Sequence, residues 1–375
     1  MARPIPTRLL VLGHAFTQWL ISVGRRQPPP DPKRILIAHH LLLGDTLMLT
    51  PLIAKLRALF PQAEIVMTVP KAIAPLYQKR PYGVTAWAWD PRDPGTLMEP
   101  LKQSGFDLAF VPGDNRYSWL ALALGARWIV AFLGDRPAYK NWPVDEAIPY
   151  PVVSATWGDI VAGLVEGEAP SSYRPEAWGD PEHLHFDLPS SPYCVLHVGA
   201  RSSHRQWGKE RWADLAAHLT QRGLTVAWSS GPGEAAQVSA IDPEGRYASY
   251  AGKLDLAQLW HLLKRASLLV CPDTGIAHMG RVVNVPTVVL FGPGSATLFG
   301  AGEFWKQSPY RAITVDNFPC RDQRMLFKRE IPWMAHCSRG PNECGNNLCM
   351  QVIGLDTVES AIESLLGLEP ELNVA

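Results

Sequence analysis

Read by the spacing of its apolar and polar positions, the chain divides into two stretches of the same kind. Each is a series of short apolar runs separated by longer segments with one apolar side. Residues 34–38 (Arg-Ile-Leu-Ile-Ala) are apolar without alternation, the pattern of a strand covered on both faces. After a loop at 39–44, a helix is expected to begin near Asp45. Leu47, Leu49, Leu52, Ile53, Leu56 and Leu59 give it a broad apolar side, and Pro51 falls in its early turns, where the missing N–H costs least. Further strands are expected at 64–69, 84–89, 107–111 and 128–132, with helical stretches between them. Alternation of this kind builds a parallel sheet. Residues 149–192 lose the periodicity and gain proline, glycine and serine, which places a boundary near residue 180. Beyond it the alternation restarts, with strands at 193–198, 224–228, 268–271 and 286–291 and helices at 209–222, 256–266 and 356–366. The expected fold class is α/β: two Rossmann-like lobes, 33–180 and 181–375, with a cleft between them.

Residues 1–32 read as an amphipathic extension. Leu9, Leu12, Phe16, Trp19, Leu20 and Val23 share one helical face, with Arg3 and Arg8 before the run and Arg25 and Arg26 after it. Residues 9–23 are too few to span a bilayer. His14 and Gln18 interrupt the run, and Arg25-Arg26-Gln27-Pro28 stands where a signal peptide needs small residues. Two readings remain, a helix packed on the protein's own surface and a helix lying in a membrane interface with arginines on lipid phosphates.

Composition changes this picture little. The 375 residues suffice for two domains, and 47% hydrophobic with 19% charged residues is ordinary for a globular chain. Lysine plus arginine (35) equals aspartate plus glutamate (35), so net charge does not point to nucleic acid. A local basic pocket, as a diphosphate would need, is still allowed. Most of the 14 tryptophans stand singly among apolar neighbours, as core residues do.

Four segments carry candidate chemistry, and each also has a structural reading. Gly44-Asp45 follows the first strand, where ligands bind in open α/β sheets. Asp45 can reach a ligand or merely cap the helix. His197 to Trp207 holds Arg201, Ser202 and Arg205 among small residues after another strand. Arginine forks and backbone amides there suit phosphate, although a solvated basic loop would look the same and no P-loop signature ends it. Ser230-Gly231-Pro232-Gly233-Glu234 is a strand-to-helix turn whose Glu234 can take ribose hydroxyls or remain a surface glutamate. Asp273-Thr274-Gly275 opens a helix, aiming amides and the dipole at an anion. His278, one turn in, suits a hydrogen-bonded structural histidine as well as a catalytic one.

Taken in order, these segments resemble glycosyltransferase family 9, the ADP-heptose:lipopolysaccharide heptosyltransferases. Leu43-Gly44-Asp45 resembles its N-terminal Gly-Asp motif, and the arginine loop with Gln206-Trp207 its phosphate loop. Asp273-Thr274-Gly275-Ile276-Ala277-His278 resembles its Asp-Ser/Thr-Gly-x-x-His signature. The turn at Ala251-Gly252-Lys253 and residues 285–293 fit as well. The resemblance implies a GT-B fold, with the acceptor on the first lobe and the nucleotide sugar on the second. It also implies inversion at the anomeric carbon without a catalytic metal, the donor being ADP-heptose and the acceptor a lipopolysaccharide-core or other cell-surface glycan. Asp45 would be the general base, with His39, His40 and Gly44 in the acceptor-side loop. Arg201, Ser202, Arg205, Lys253, Thr274, Gly275 and His278 would surround the donor, with Asp273 at the sugar and Glu234 at the ribose. A cytoplasmic enzyme, peripheral at the inner face of the inner membrane, is the implied setting.

Two departures stand beside the match. His39-His40 and Leu41-Leu42-Leu43 replace a serine-containing loop before the Gly-Asp pair. Cys320, Cys337, Cys344 and Cys349 fall within segment 316–352 without a CxxC pair. Heptosyltransferases that modify proteins resemble this chain in carrying four such cysteines around a metal. A structural zinc or iron site and a set of free thiols therefore both stay open. A GT-B transferase using another nucleotide sugar, a heptosyltransferase acting on protein, a sugar-nucleotide epimerase and a catalytically silent binding protein are the rival functions.

Overall fold

The computed structural model describes residues 5–22, 26–315, 318–340 and 343–367. Two compact units emerge. The first takes the chain up to Pro181 together with Met325–Trp333, and the second takes Glu182–Arg324 and the chain from Met334 onward.

The first unit is built on six strands: β1 (Arg34–Ile37), β2 (Glu64–Val69), β3 (Thr85–Ala88), β4 (Phe106–Val111), β5 (Ala126–Phe132) and β6 (Glu146–Ile148). They lie in the order β3-β2-β1-β4-β5-β6, and every neighbouring pair is parallel. The second unit repeats the plan with β7 (Tyr193–His197), β8 (Thr225–Ser229), β9 (Ala248–Ser249), β10 (Leu268–Pro272), β11 (Thr287–Phe291) and β12 (Tyr310–Thr314). Their order is β12-β11-β10-β7-β8-β9, again wholly parallel. In both sheets the chain winds outward from a central strand, then returns and winds the other way. The reversal leaves a crevice beyond the strand ends, between β1 and β4 in one unit and between β7 and β10 in the other, where open α/β sheets take ligands. The central strands Ile35–Ile37 and Cys194–Leu196 are fully buried, as their unbroken apolar runs require.

Three expectations are corrected. The helix expected from Asp45 is two, α2 (Leu43–Leu47) and α3 (Thr50–Leu59), because Pro51 takes the start of a new helix instead of a place inside one. The second lobe does not run unbroken from 181 to 375. The hairpin β13 (Met325–Leu326) and β14 (Arg329–Glu330) belongs to the first unit, where Phe327 lies 5.0 Å from Trp157 and the buried Arg329 bonds the ends of β4 and β5. The N-terminal helix α1 (Ile5–Ser22) packs on the Tyr117–Ala123 helix and belongs to the same unit. It does so through Thr7 and Ala15, with Leu10 and Val11 partly covered, whereas Leu9, Leu12, Phe16, Trp19 and Leu20 face outward. The small Ala15 allows close helix approach where the large apolar side would not. Arg3, Val23 and Arg25 of that reading lie outside the described residues. Among the described residues no helix is long and apolar enough to cross a membrane.

Candidate functional site

In the first unit the loop after β1 is held from beneath. His39 is fully buried, and its N–H donates to Thr68 Oγ1 (2.8 Å) while that hydroxyl donates back to the His39 carbonyl (2.8 Å). The Leu41 N–H donates to His39 Nδ1 (3.1 Å), which fixes the ring proton on Nε2. Burial, with His40 adding to it, pushes the His39 imidazole down to about 3, so the ring is neutral. His39 therefore shapes the loop from below. His40 is half-buried, edge-on to Trp89 at 5.5 Å. Burial lowers its pKa and Asp90 partly offsets this.

Leu42 is the N-cap of α2 and makes no side-chain cap bond, which puts the half-buried Asp45 at the third helical position. The capping alternative for Asp45 is thus replaced by that of a first-turn acid, which the helix dipole favours. Gly44 is buried.

In the second unit the loops after β7, β8 and β10 come together at the chain reversal. Arg205 donates to the Asp273 carbonyl and lies 3.5 Å from the Asp273 carboxylate. Asp273 is buried, and its Oδ2 and the hydroxyl of Thr274 make no hydrogen bond. Burial raises the Asp273 pKa, and Arg205 and Arg281 pull it back. A side chain at Gly294 would place its Cβ 2.1 Å from Asp273 Oδ2, so only glycine leaves that carboxylate its position. Thr274 stands at the N-cap position of the Gly275–Val283 helix without a side-chain cap bond. Gly199 shows the same closeness: a Cβ there would lie 2.3 Å from Glu234 Oε2 and 3.0 Å from the Gly231 nitrogen.

Other candidates have partners of their own. Glu234 Oε2 accepts the Gly231 N–H at 2.8 Å, across its own turn. Lys253 Nζ donates to the Ser249 carbonyl at 2.7 Å. Ser202 Oγ meets His204 Nδ1 at 3.2 Å, and Arg201 is exposed. His278 is buried against Arg281. A guanidinium can only donate, so His278 Nδ1 accepts. Burial, then Arg281 and Arg205, hold the His278 pKa well below normal, which fits the structural reading of this histidine.

Sequence reasoning missed two further groups, one in each unit. His336 is half-buried, and Arg205 is close enough to help burial lower its pKa. Its position beside Cys337 in an aperiodic segment gave no signal. The other is a buried ion network in the first unit, Arg329–Asp135–Lys140–Asp114.

The four cysteines of segment 316–352 fall in the second unit, and the Cys337 N–H donates to the Pro293 carbonyl at 2.9 Å. Burial raises the Cys349 pKa, Arg321 opposes it, and Cys320, Cys344 and Cys337 add to it. Four thiols are a donor set suited to zinc or iron. Among the described residues, however, no three His, Cys, Asp or Glu side chains converge as a bound ion requires.

The sequence model of glycosyltransferase family 9 (heptosyltransferase) matches residues 95–325, more than half of the chain. Lipopolysaccharide heptosyltransferase 1 of Pseudomonas aeruginosa is 26% identical over 256 residues, covering 63% of this chain and 71% of that one. The structure of Escherichia coli ADP-heptose lps heptosyltransferase II superposes with a TM-score of 0.66 at 18% identity, covering 89% of this chain and 98% of that one. The iron-containing dodecameric glycosyltransferase TibC of enterotoxigenic E. coli gives a TM-score of 0.54 at 16% identity, with 89% and 78% covered. Two six-stranded parallel sheets with helices are the elements of the GT-B fold that these enzymes share.

Proposed function

The chain belongs to glycosyltransferase family 9, the heptosyltransferases, and on that premise we propose that it transfers heptose from ADP-heptose, with inversion, to a hydroxyl of a lipopolysaccharide-core glycan. The acceptor hydroxyl attacks the anomeric carbon, Asp45 takes its proton, and the bond from that carbon to the diphosphate breaks to release ADP. A general base so placed typically contributes about a hundred- to ten-thousand-fold.

The observation that carries the reading is the site at the reversal of the second sheet. Arg205, the buried Asp273 carboxylate and the start of the Gly275–Val283 helix meet there. Charge on the diphosphate grows as its bond breaks, and a fixed guanidinium and helix start stabilise it without reorganising. Arg201 and Ser202 extend the phosphate contact, and Asp273 faces the sugar. Glu234 offers the ribose its carboxylate across the Gly231 turn, and Lys253 lies beyond it. His278 positions Arg281 behind the site.

The setting we infer is the cytoplasmic face of the inner membrane, supported by the outward apolar side of α1. We also infer one structural zinc or iron ion on Cys320, Cys337, Cys344 and Cys349, supported by four thiols within one short segment and by the iron of TibC. A protein acceptor is the second reading, favoured by those same cysteines.

The deciding experiment is Asp45→Asn. Turnover should fall at least about a hundredfold with ADP affinity unchanged, as loss of a general base implies. Turnover within a few-fold of wild type would leave Asp45 a first-turn acid and end the mechanism.

A further inference from the structure

Behind α1 the first unit holds a cavity of about 630 Å³, in the range of small-molecule sites. Its walls are largely aromatic and aliphatic: Val11 and Leu12 of α1, Trp89, Tyr117, Trp119 and Trp142. Arg8, Arg116, Lys140 and Lys328 are the charged residues of its lining. Lys140 is tied to Asp114 and Asp135, and Arg116 pairs with Asp114 at 2.7 Å. Thr7 also lines the cavity; it is 2% exposed, and its hydroxyl makes no hydrogen bond. A buried hydroxyl without a partner, beside apolar walls and cations, calls for an occupant that brings an oxygen. Leu12 continues the cavity onto the outer side of α1, where Leu9, Phe16, Trp19, Leu20 and Ile21 are between 49% and 65% exposed.

We propose that this cavity binds one acyl chain of an anionic phospholipid, with its ester carbonyl accepting from the Thr7 hydroxyl and the headgroup phosphate against Arg8, Arg116 and Lys328. The proposal rests on the membrane-surface reading of α1 given above and adds to it a discrete site. An amphipathic helix lying in a bilayer interface gains from apolar burial and from attraction to anionic headgroups together. The outer side of α1 supplies the first and the cavity rim the second. No role of this cavity is needed for donor binding, because the donor loops belong to the other unit.

The test uses the full chain and palmitoyl-lysophosphatidylglycerol, kept below its micelle concentration, in a calorimetric titration. Wild type should bind one equivalent, and Thr7→Trp and Leu12→Trp, which fill the cavity, should each weaken binding at least about tenfold. Leu12 is 45% exposed, so its variant tests the site even if Thr7→Trp fails to fold. Leu20→Glu, on the outer side, should leave this titration unchanged but abolish co-sedimentation with phosphatidylglycerol vesicles. No binding by wild type, or equal binding by both filled variants, would overturn the cavity site. Cavity binding kept while wild type ignores vesicles would overturn the surface reading alone. A dimer that Leu20→Glu converts to monomer would assign the outer side to a second copy and overturn the surface reading.

Discussion

Replacing Arg329 by Met tests whether the hairpin segment holds the first unit together. The guanidinium is buried and donates five hydrogen bonds. They go to the carbonyls of Leu133 (3.0 Å), Gly113 (3.0 Å), Phe327 (3.1 Å) and Phe132 (3.2 Å), and to Asn115 Oδ1 (2.6 Å). It also lies 3.6 Å from the Asp135 carboxylate, whose side chain is 0% exposed. At an effective dielectric of about 20, a charge pair at that separation attracts by roughly 4–5 kcal/mol, before desolvation is counted. The carbonyls would lose their donor while staying buried, and removal of one partner from a buried pair costs about 3–5 kcal/mol. Methionine keeps the apolar stem, so lost packing adds little.

Two units can unfold in two steps, so the quantity to follow is the urea midpoint of the transition reporting the first unit. With a slope of about 2–3 kcal/mol per molar urea, that midpoint should fall by roughly 1–2.5 M. Arg116→Met is the control. Its pair with Asp114 is as short as 2.7 Å, but the Arg116 side chain is 48% exposed, and such a pair contributes about 1 kcal/mol at most. If Arg329→Met loses no more than Arg116→Met, burial is not what gives the network its strength and the reasoning fails.

Arg205→Ala should weaken ADP binding by calorimetry and slow the chemical step as well, because the charge it faces grows in the transition state; unchanged ADP affinity would move the phosphate contact to Arg201. Burial would raise the Asp114 pKa, but hydrogen bonds from Arg116 and Lys140 win and hold it down to about 2. A depressed carboxylate contributes stability that is present above its unfolded value near 3.9 and lost as pH falls through 2. The first unit should therefore lose about 2 kcal/mol between pH 5 and 2, and Asp114→Asn should flatten that part of the profile. Protein purified without a metal-affinity tag should contain about one equivalent of zinc or iron, and chelation should lower its stability more than its turnover. Under about a tenth of an equivalent with four titratable thiols would exclude the site.

What the sequence shows and what it hides follows from which forces act locally. Strands buried on both faces are legible because solvent exclusion leaves an unbroken apolar run, and β2 falls at 64–69 as expected. The edge strands β6 and β9 were missed because they are only Glu146–Ile148 and Ala248–Ser249, too short to set up any pattern. Periodicity found α1 but not its orientation. The apolar side of the helix turned outward because Thr7 and Ala15 make the close contact. Arg329 sits in the charged run Lys328-Arg329-Glu330, which reads as solvated face. Only the carbonyls it meets, from residues distant in sequence, make burial favourable. Among site residues, chain position places Asp45, Arg205 and Asp273 after the strands β1, β7 and β10. It could not reveal that His39, Glu234 and Lys253 bond their own neighbourhoods.

The weakly patterned segment after β12 has a physical task that explains its arginines. Where a parallel strand ends, its last carbonyls leave the ladder and must find donors if they stay buried. In the second unit Arg321 donates to the carbonyls of Gly292 and Val315, at the ends of β11 and β12, with Phe291 within 3.2 Å. In the first unit Arg329 does the same for Gly113, Phe132 and Leu133, past the ends of β4 and β5. One short stretch of chain thus closes the carboxyl ends of strands in both sheets, the ends at which the candidate loops lie. Gly113 links this to the loop after β1, since a Cβ there would lie 3.0 Å from Leu41 and 3.6 Å from Phe327. Gly113 is thus close both to the hairpin and to the chain just before Gly44-Asp45. Loss of Arg329 should loosen that loop as well as the sheet, whereas loss of Arg321 should act first on the strand ends beside Gly294 and Asp273.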